Sequence, residues 1–436
     1  MRRNIITVLS LMLFAAFAQA QGKVWSLQEC VDYAVEHNIN VQIKQMGVEQ
    51  EEINLNTASN GRLPNFTANA SHSYSFGRST SGYDNTYQDR NSSATQWSAS
   101  TSVPLFTGFR ISSEIDASRL NLQTVAAELE KSREDLEINI TSLYLQVLYS
   151  KEILSIANTQ LELSREQLKR TKSLFENGRA SEVQIYEAES QIALDELSVV
   201  QAASDLQMAV LTLTQTLELP SPEGFDVEKP QDVEDFLLAR RPDDIFQTAL
   251  TSRASVRAEE LRLKGREKYI KIAQSGYFPT VSFSAGYANN YYKINGYDNP
   301  VFSEQIKLNR NEYFGLSLNI PIFDRFATRN NVRTARLNMR IQELQLENTK
   351  KSLYKEIQQA YYNARTSGEK YNSAQAAYKS AEKAFGFMKE KFNNGRATTY
   401  EYNDSRTSMI KALSNSAQAK YDFIFRKKIL DFYERR

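Results

Sequence analysis

The sequence predicts a mainly α-helical protein with a transmembrane β-barrel contribution. It is written as two internal repeats, each with two β-strands and a long coiled-coil helical hairpin. Three observations predict this. Phe-x-Asn-Gly-Arg-Ala occurs at Phe175–Ala180 and again at Phe392–Ala397, 217 residues later. Ahead of each copy, a seven-residue pattern runs for five heptads. Four further segments, each of roughly ten residues, alternate apolar and polar with the period of a strand.

The repeat extends beyond the tips. Val103-Pro104-Leu105-Phe106 answers to Ile320-Pro321-Ile322-Phe323 at the same spacing, and Leu63-Pro64-Asn65-Phe66 to Phe278-Pro279-Thr280-Val281 two residues out of it. The period is too long for a solenoid and points to two copies of one large module.

The first residues set the compartment. Met1-Arg2-Arg3-Asn4 is basic, Ile5–Ala18 is apolar, and Ala18-Gln19-Ala20 is a small-x-small cleavage site. Residues 1–20 therefore read as a secretory signal peptide, the apolar run being shorter than the ~20 residues of a spanning helix. The mature chain is expected to begin near Gln21, with no long apolar stretch and no transmembrane helix after it.

Composition excludes several classes. With 53 Lys plus Arg against 52 Asp plus Glu, the net charge is +1, which argues against nucleic acid as a partner. The single cysteine, Cys30, forms no internal disulfide and reads as a buried small residue. Only His37 and His72 are present, no Gly-rich phosphate loop follows a predicted strand, and the seven methionines do not cluster. No catalytic residue, cofactor or metal site is expected, and the chain does not read as an enzyme.

The first repeat spans 21–217. It opens with a helix over 27–60, followed by strands over 63–78 and 95–106 and a hairpin over 107–217 whose tip is 177–180. Before that tip, Ile140, Val147, Leu154, Leu161, Leu168 and Phe175 form a large row, beside Leu136, Leu143, Ser150, Ala157, Ser164 and Thr171. In the second copy the rows become Ile357, Ala364, Tyr371, Tyr378, Phe385 and Phe392, and Leu353, Ala360, Ser367, Ala374, Ala381 and Met388. A strict heptad means coiled-coil packing. No proline falls between Pro104 and Pro220 or after Pro321. A helix from Thr107 to Asn177 would run roughly 105 Å, and each Asn-Gly supplies the left-handed turn that reverses the chain.

A proline-rich connector over 218–242 leads to the second repeat, 243–436. This holds a helix over 243–274, strands over 279–292 and 312–323, and a hairpin over 324–433 with its tip at 394–397. On the strands, Phe66, Ala68, Ala70, His72, Tyr74 and Phe76 share one face, as do Trp97, Ala99, Thr101, Val103 and Leu105. Val281, Phe283, Ala285 and Tyr287 form the third set, and Phe314, Leu316, Leu318, Ile320 and Ile322 the fourth. The opposite faces are small and polar, which suits a water-filled lumen; a soluble half-buried sheet has the same alternation. Residues 79–94 and 293–311 read as exposed loops. Four strands cannot close a membrane barrel, so copies must pool them around one axis. The residues themselves do not fix the number of copies.

These features together resemble the TolC-like outer-membrane factors, over essentially all of Trp25–Tyr433. The resemblance rests on Ser26-Leu27-x-x-Cys30-x-x-Tyr33-Ala34, on Ser275-Gly276-Tyr277-Phe278-Pro279, on both Pro-x-Phe strand exits and on both tips. It implies a homotrimer whose twelve-stranded barrel lies in the lipid of the cell outer membrane and is continued by an α-helical barrel through the periplasm. It also implies the role of exit duct for a tripartite efflux pump or type I secretion system, with a periplasmic adaptor (membrane fusion) protein and an inner-membrane pump as partners. A structural or adhesive coiled-coil envelope protein is the alternative.

The resemblance places the functional residues at the inner tip. Glu401 and Asp404, six and nine residues after Gly395, occupy offsets that carry aspartate rings at the family's pore constriction. After Gly178 the same offsets hold Gln184 and Glu187, making Glu187 a further candidate. Acids near a helix start also simply suit the dipole. Asn177, Gly178, Arg179, Asn394, Gly395 and Arg396 form the tips, where the arginines are candidates for adaptor docking. The chain departs from the family pattern at Phe392 and Ala397, where a tyrosine and an arginine are usual, and at Gln184, where an acid is.

Overall fold

The computed structural model describes residues 24–80, 87–89, 91–229 and 240–435. The leader, the chain start at Gln21, part of the 79–94 loop and residues 230–239 of the connector lie outside these. The chain order is β1 (Val24–Trp25), α1 (Leu27–His37), α2 (Ile39–Asn60), β2 (Asn65–Ser75), β3 (Arg78–Thr80), β4 (Tyr87–Asp89), β5 (Ser92–Thr107), α3 (Arg110–Glu176), α4 (Glu182–Thr216), β6 (Asp226–Val227), α5 (Pro242–Ser252), α6 (Ala254–Gln274), β7 (Thr280–Ile294), α7 (Phe302–Leu308), β8 (Asn311–Asn319), α8 (Ala327–Asn393) and α9 (Thr399–Glu434). They pack as two compact units. One takes the described parts of Met1–Gly47, Ala126–Arg257 and Glu347–Arg436; the other takes Val48–Val125 and Ala258–Leu346. Each unit draws on both repeats.

The second unit holds a four-stranded antiparallel sheet of order β2-β5-β7-β8. Register decides its two faces. Ala70 pairs Trp97, which pairs Asn289; Phe66 pairs Thr101, which pairs Ala285, which pairs Phe314. The alternating residues of all four strands thus fall on one face, with Phe66, Phe314, Leu316 and Leu318 exposed. The opposite face pairs Asn69 with Ser98, Ser100 with Gly286 and Ser282 with Ser317, and carries no charged residue along the four strands. On it the Tyr313 ring lies across Gly286, where an added Cβ would sit 2.7 Å from the ring.

Four expectations need correction here. First, Leu105 does not continue the apolar face. The register slips between Pro104 and Phe106, and Phe106 takes the place opposite Val281. Proline has no N–H to give the ladder, so the bulge forms there. Second, the last strand ends at Asn319, before Ile320 and Ile322, because its partner β7 begins at Thr280, opposite Asn319. Third, both segments expected as loops carry regular structure: 79–94 holds the paired strands β3 and β4 and the start of β5, and 293–311 holds a helix, α7. Fourth, α4 contains an apolar stretch long enough to cross a membrane by length and composition, with a mean hydropathy of 1.2, where no such stretch was expected after residue 20. Its Ala209 and Leu213 are core residues of the first unit.

The helices expected over 27–60 and 243–274 are each broken once. Asn38 and Arg253 leave the helical region, at ψ 126° and 127°. The Asn38 amide donates to the Thr216 carbonyl at 3.1 Å, and the Arg253 guanidinium to the Phe432 carbonyl at 2.7 Å. Each break therefore serves a carbonyl near the end of its own repeat's returning helix, which has no intrahelical partner there.

Both long helices have 67 residues, offset by 217 at either end. Of the two heptad rows ahead of each tip only Phe175 is exposed, which is the burial a coiled coil requires. The strand-to-helix corners also repeat. Gly108 and Phe109 have φ of 62° and 64°, and Arg325 and Phe326 of 57° and 63°. Gly108 is constrained further, since a Cβ there would meet Ser275 O and Phe278 Cβ at 2.7 Å. At each corner two phenylalanines meet edge to face, Phe106 with Phe109 and Phe323 with Phe326.

Candidate functional site

The tips are built alike from backbone hydrogen bonds. Gly178 N–H donates to Phe175 O and Arg179 N–H to Leu174 O, both at 2.8 Å; Gly395 N–H donates to Phe392 O at 3.1 Å and Arg396 N–H to Lys391 O at 2.9 Å. This pair of bonds is the Schellman motif, which needs a left-handed residue. Gly178 and Gly395 supply it at φ 69° and 70°. Asn177 and Asn394 each donate a side-chain amide to the carbonyl four residues back, Ser173 and Glu390. Arg179 and Arg396 are exposed.

Each returning helix then starts with a capping box. Ser181 N–H donates to Gln184 Oε1 at 3.1 Å. Thr398 N–H and its hydroxyl donate to Glu401 Oε2 at 2.7 and 2.8 Å, and Glu401 N–H donates back to Thr398 Oγ1 at 3.2 Å. The positions six after each glycine, Gln184 and Glu401, are therefore the third helical residues whose side chains close the capping boxes on Ser181 and Thr398. The motif was present in the sequence as Ser181-x-x-Gln184 and Thr398-x-x-Glu401. The Thr398 backbone N–H, then its hydroxyl, holds the Glu401 carboxyl below the usual range. This contribution is present above the ordinary carboxylate pKa and is lost as pH falls through the lowered one. Any upward push from crowding in an acidic ring must work against it. Asp404 follows Glu401 by three residues, so the two share a face of α9, and both are exposed. Glu187 is exposed on α4.

Two residues not anticipated from sequence, Arg170 and Tyr402, link these helices. Arg170, on α3, donates to the Phe392 carbonyl at 3.3 Å and the Asn393 carbonyl at 2.8 Å, and to Asn393 Oδ1. Its guanidinium also lies 5.1 Å from the Phe392 ring centre. That places a cation on the carbonyl end of α8, where the dipole favours it. Phe392 stacks on Tyr402 at 4.8 Å, while Phe175 at the first tip stays exposed.

Above the tips Arg406 and Asp195 are both about 1% exposed. Arg406 donates to Ser164 Oγ at 2.5 Å and has Nη2 4.0 Å from Asp195 Oδ2. The Asp195 carboxylate also accepts from Gln160 at 2.6 Å, Gln191 at 2.9 Å and the Ser164 hydroxyl. This buried set joins α3, α4 and α9 with its charges paired and hydrogen-bonded, as burial demands. It lies against an apolar cluster of Ile156, Phe385, Tyr402, Met409 and Ile410. Among the described residues no group of three or more potential metal ligands forms.

The described residues thus present two hairpin tips with exposed arginines and acids, and a sheet with one largely apolar face and one polar face without charge. Comparison with known proteins agrees. The model of the outer membrane efflux protein family matches residues 31–217 and 245–424. Outer membrane protein TolC of Escherichia coli K12 is 24% identical over 96% of this chain and 83% of its own. The Campylobacter jejuni CmeC outer membrane channel superposes with a TM-score of 0.79 at 17% identity, over 94% of this chain and 85% of that one. VceC of Vibrio cholerae gives 0.76 at 15% identity, over 94% and 96%. The chain belongs to the outer membrane efflux protein family: a channel protein, not an enzyme, of the outer membrane and extending into the periplasm.

Proposed function

We propose that this chain is the passive exit duct of a tripartite efflux pump or type I secretion system. Substrates handed over by an inner-membrane transporter pass through it across the periplasm and the outer membrane. The observation that carries the reading is the sheet, whose outer face is apolar apart from Glu312 and Lys293 and whose inner face is polar and uncharged, as a lipid-embedded wall around water needs. On this reading residues 1–20 are the leader, 21–217 and 243–436 the repeats, and 218–242 their connector.

The sheet leaves β2 and β8 as edges. Open edges do not persist in lipid, so they pair between copies. A homotrimer gives twelve strands, and mass measurement in mild detergent is expected to return three chains. A monodisperse monomer with intact β-structure would exclude this assembly.

The tips are the docking end. Arg179 and Arg396 are presented to a periplasmic adaptor by backbones that the Schellman bonds fix. Glu401, Asp404 and, on the other hairpin, Glu187 supply carboxylates to the constriction, favouring cations. Replacing both Glu401 and Asp404 with Ala is expected to lower cation preference in planar bilayers and to remove block by divalent cations. Unaltered selectivity and block would make these acids surface and capping residues only. A protein that inserts but never conducts would favour the adhesive or structural reading.

A further inference from the structure

The short helix α7 sits where the sheet's apolar face ends. From Val281 to Tyr291 that face climbs ten residues of β7, roughly 34 Å along the strand and about 26 Å along the membrane normal at a 40° tilt. That rise matches the ~25 Å apolar band of an outer-membrane barrel. At its upper limit stand His72, Tyr74, Trp97 and Tyr291, all on this face by register. At its lower limit stand Phe106, Phe109 and Phe278, packed edge to face.

α7 is fastened at the upper limit by side-chain amides. β8 starts at Asn311, opposite Ala288, so the edge of β7 above that point has lost its strand partner. Asn309 donates to the Asn290 carbonyl at 2.8 Å. Gln305, about 1% exposed, accepts from Tyr292 N–H at 2.9 Å and donates to Tyr292 O at 2.8 Å. Asn299 does the same for Ile294, both at 2.8 Å. Three carboxamides replace the missing strand and satisfy the edge that lipid would otherwise penalise.

The same anchoring turns α7 toward the apolar face. Asn289, which pairs Trp97 on that face, donates its amide to Ile306 O at 2.7 Å. The Phe302 ring lies 5.3 Å from Tyr291 and 6.3 Å from Trp97. Val301, Phe302 and Leu308 are nonetheless 65%, 57% and 69% exposed. They flank the Gln305 side of the helix, and Ser303, Glu304 and Lys307 take the other.

We infer that α7 is a membrane-interface element, with Val301, Phe302 and Leu308 seated in the outer boundary of the bilayer as a continuation of the sheet's lipid face. Its occupant is lipid, because the exposed apolar residues continue that face at the height where the apolar band ends and an aromatic girdle stands. Too short to bind a membrane by itself, the helix relies on its carboxamide clamps for position.

The test uses the full chain with Leu308→Cys, spin-labelled and reconstituted in vesicles of phosphatidylcholine and phosphatidylglycerol. Cys30 is fully buried and escapes the label. Collisions of the label with oxygen are expected to exceed those with a water-soluble nickel chelate, and Val301→Cys should behave alike. A nickel-dominated signal at both positions would place α7 in water and overturn the inference. Protection from both probes, with coupling between labels of neighbouring copies, would make it a contact between chains and overturn it equally. Leu316→Cys, in the middle of the apolar face, is the control. If that label too met nickel first, the failure would lie with the membrane barrel itself and not with α7.

Discussion

Replacing Arg406 with Leu is expected to cost about 3–5 kcal/mol of stability, the cost of leaving a buried charge without its partner. Asp195 would keep its two glutamine donors and the Ser164 hydroxyl but lose the positive charge beside it. The same change at Asp195 should cost as much, stranding the guanidinium. The double replacement, both to Leu, is expected to recover a large part of the loss, since a buried pair exchanged for apolar groups is often near neutral. Amide exchange around Ser164 and Asp195, with the unfolding midpoint, measures all three. A single-variant loss of under about 1 kcal/mol, as at exposed pairs, would mean that the cluster is hydrated and not a structural joint.

Gly395→Pro is expected to be nearly as damaging, at about 3 kcal/mol or more. Three things fail together. The ring cannot reach the φ of 70° seen there, the N–H that donates to Phe392 O is removed, and Asn394 is pushed out of the helical region. Gly178→Pro repeats the argument through Phe175 O. Gly395→Ala gives the scale: nothing lies within 4 Å of an added Cβ, so only the left-handed backbone cost of about 1–2 kcal/mol applies. Protease sensitivity at the tips and the thermal midpoint separate the two. Proline variants no worse than alanine variants would show that the tip does not depend on the Schellman bonds.

Much of the fold was legible because burial imposes a period. The heptads before each tip named the residues that turn out covered, from Ile140 to Thr171 and from Leu353 to Phe392. The strand alternation named the shared apolar face, because pairing of period-two strands leaves no other choice once one face is committed. The capping boxes at Ser181 and Thr398 were equally visible, but the acid at 401 was read by its distance from the glycine and not by its distance from the threonine. The structure shows the carboxylate occupied by the helix start. The breaks at Asn38 and Arg253 were not legible. Neither residue is a strong helix breaker, and each break answers to a carbonyl that the fold brings up from almost 180 residues away.

The sequence by itself determined the duplication, the two kinds of period and the reversal points, since these are properties of order along one chain. Only the tertiary structure decided which polar residues are paired. Asp195 and Arg406 look like members of any solvated helix face until three helices close over them. Arg170 looks the same until the end of α8 is laid against it. Gln305, Asn309 and Asn299 read as loop residues until β8 stops short and leaves them a strand edge to complete. In each case the partner is distant in sequence or is a bare backbone group, and neither leaves a periodic trace. The polar bonds that hold the rods and seal the sheet therefore became visible only once the chain was folded.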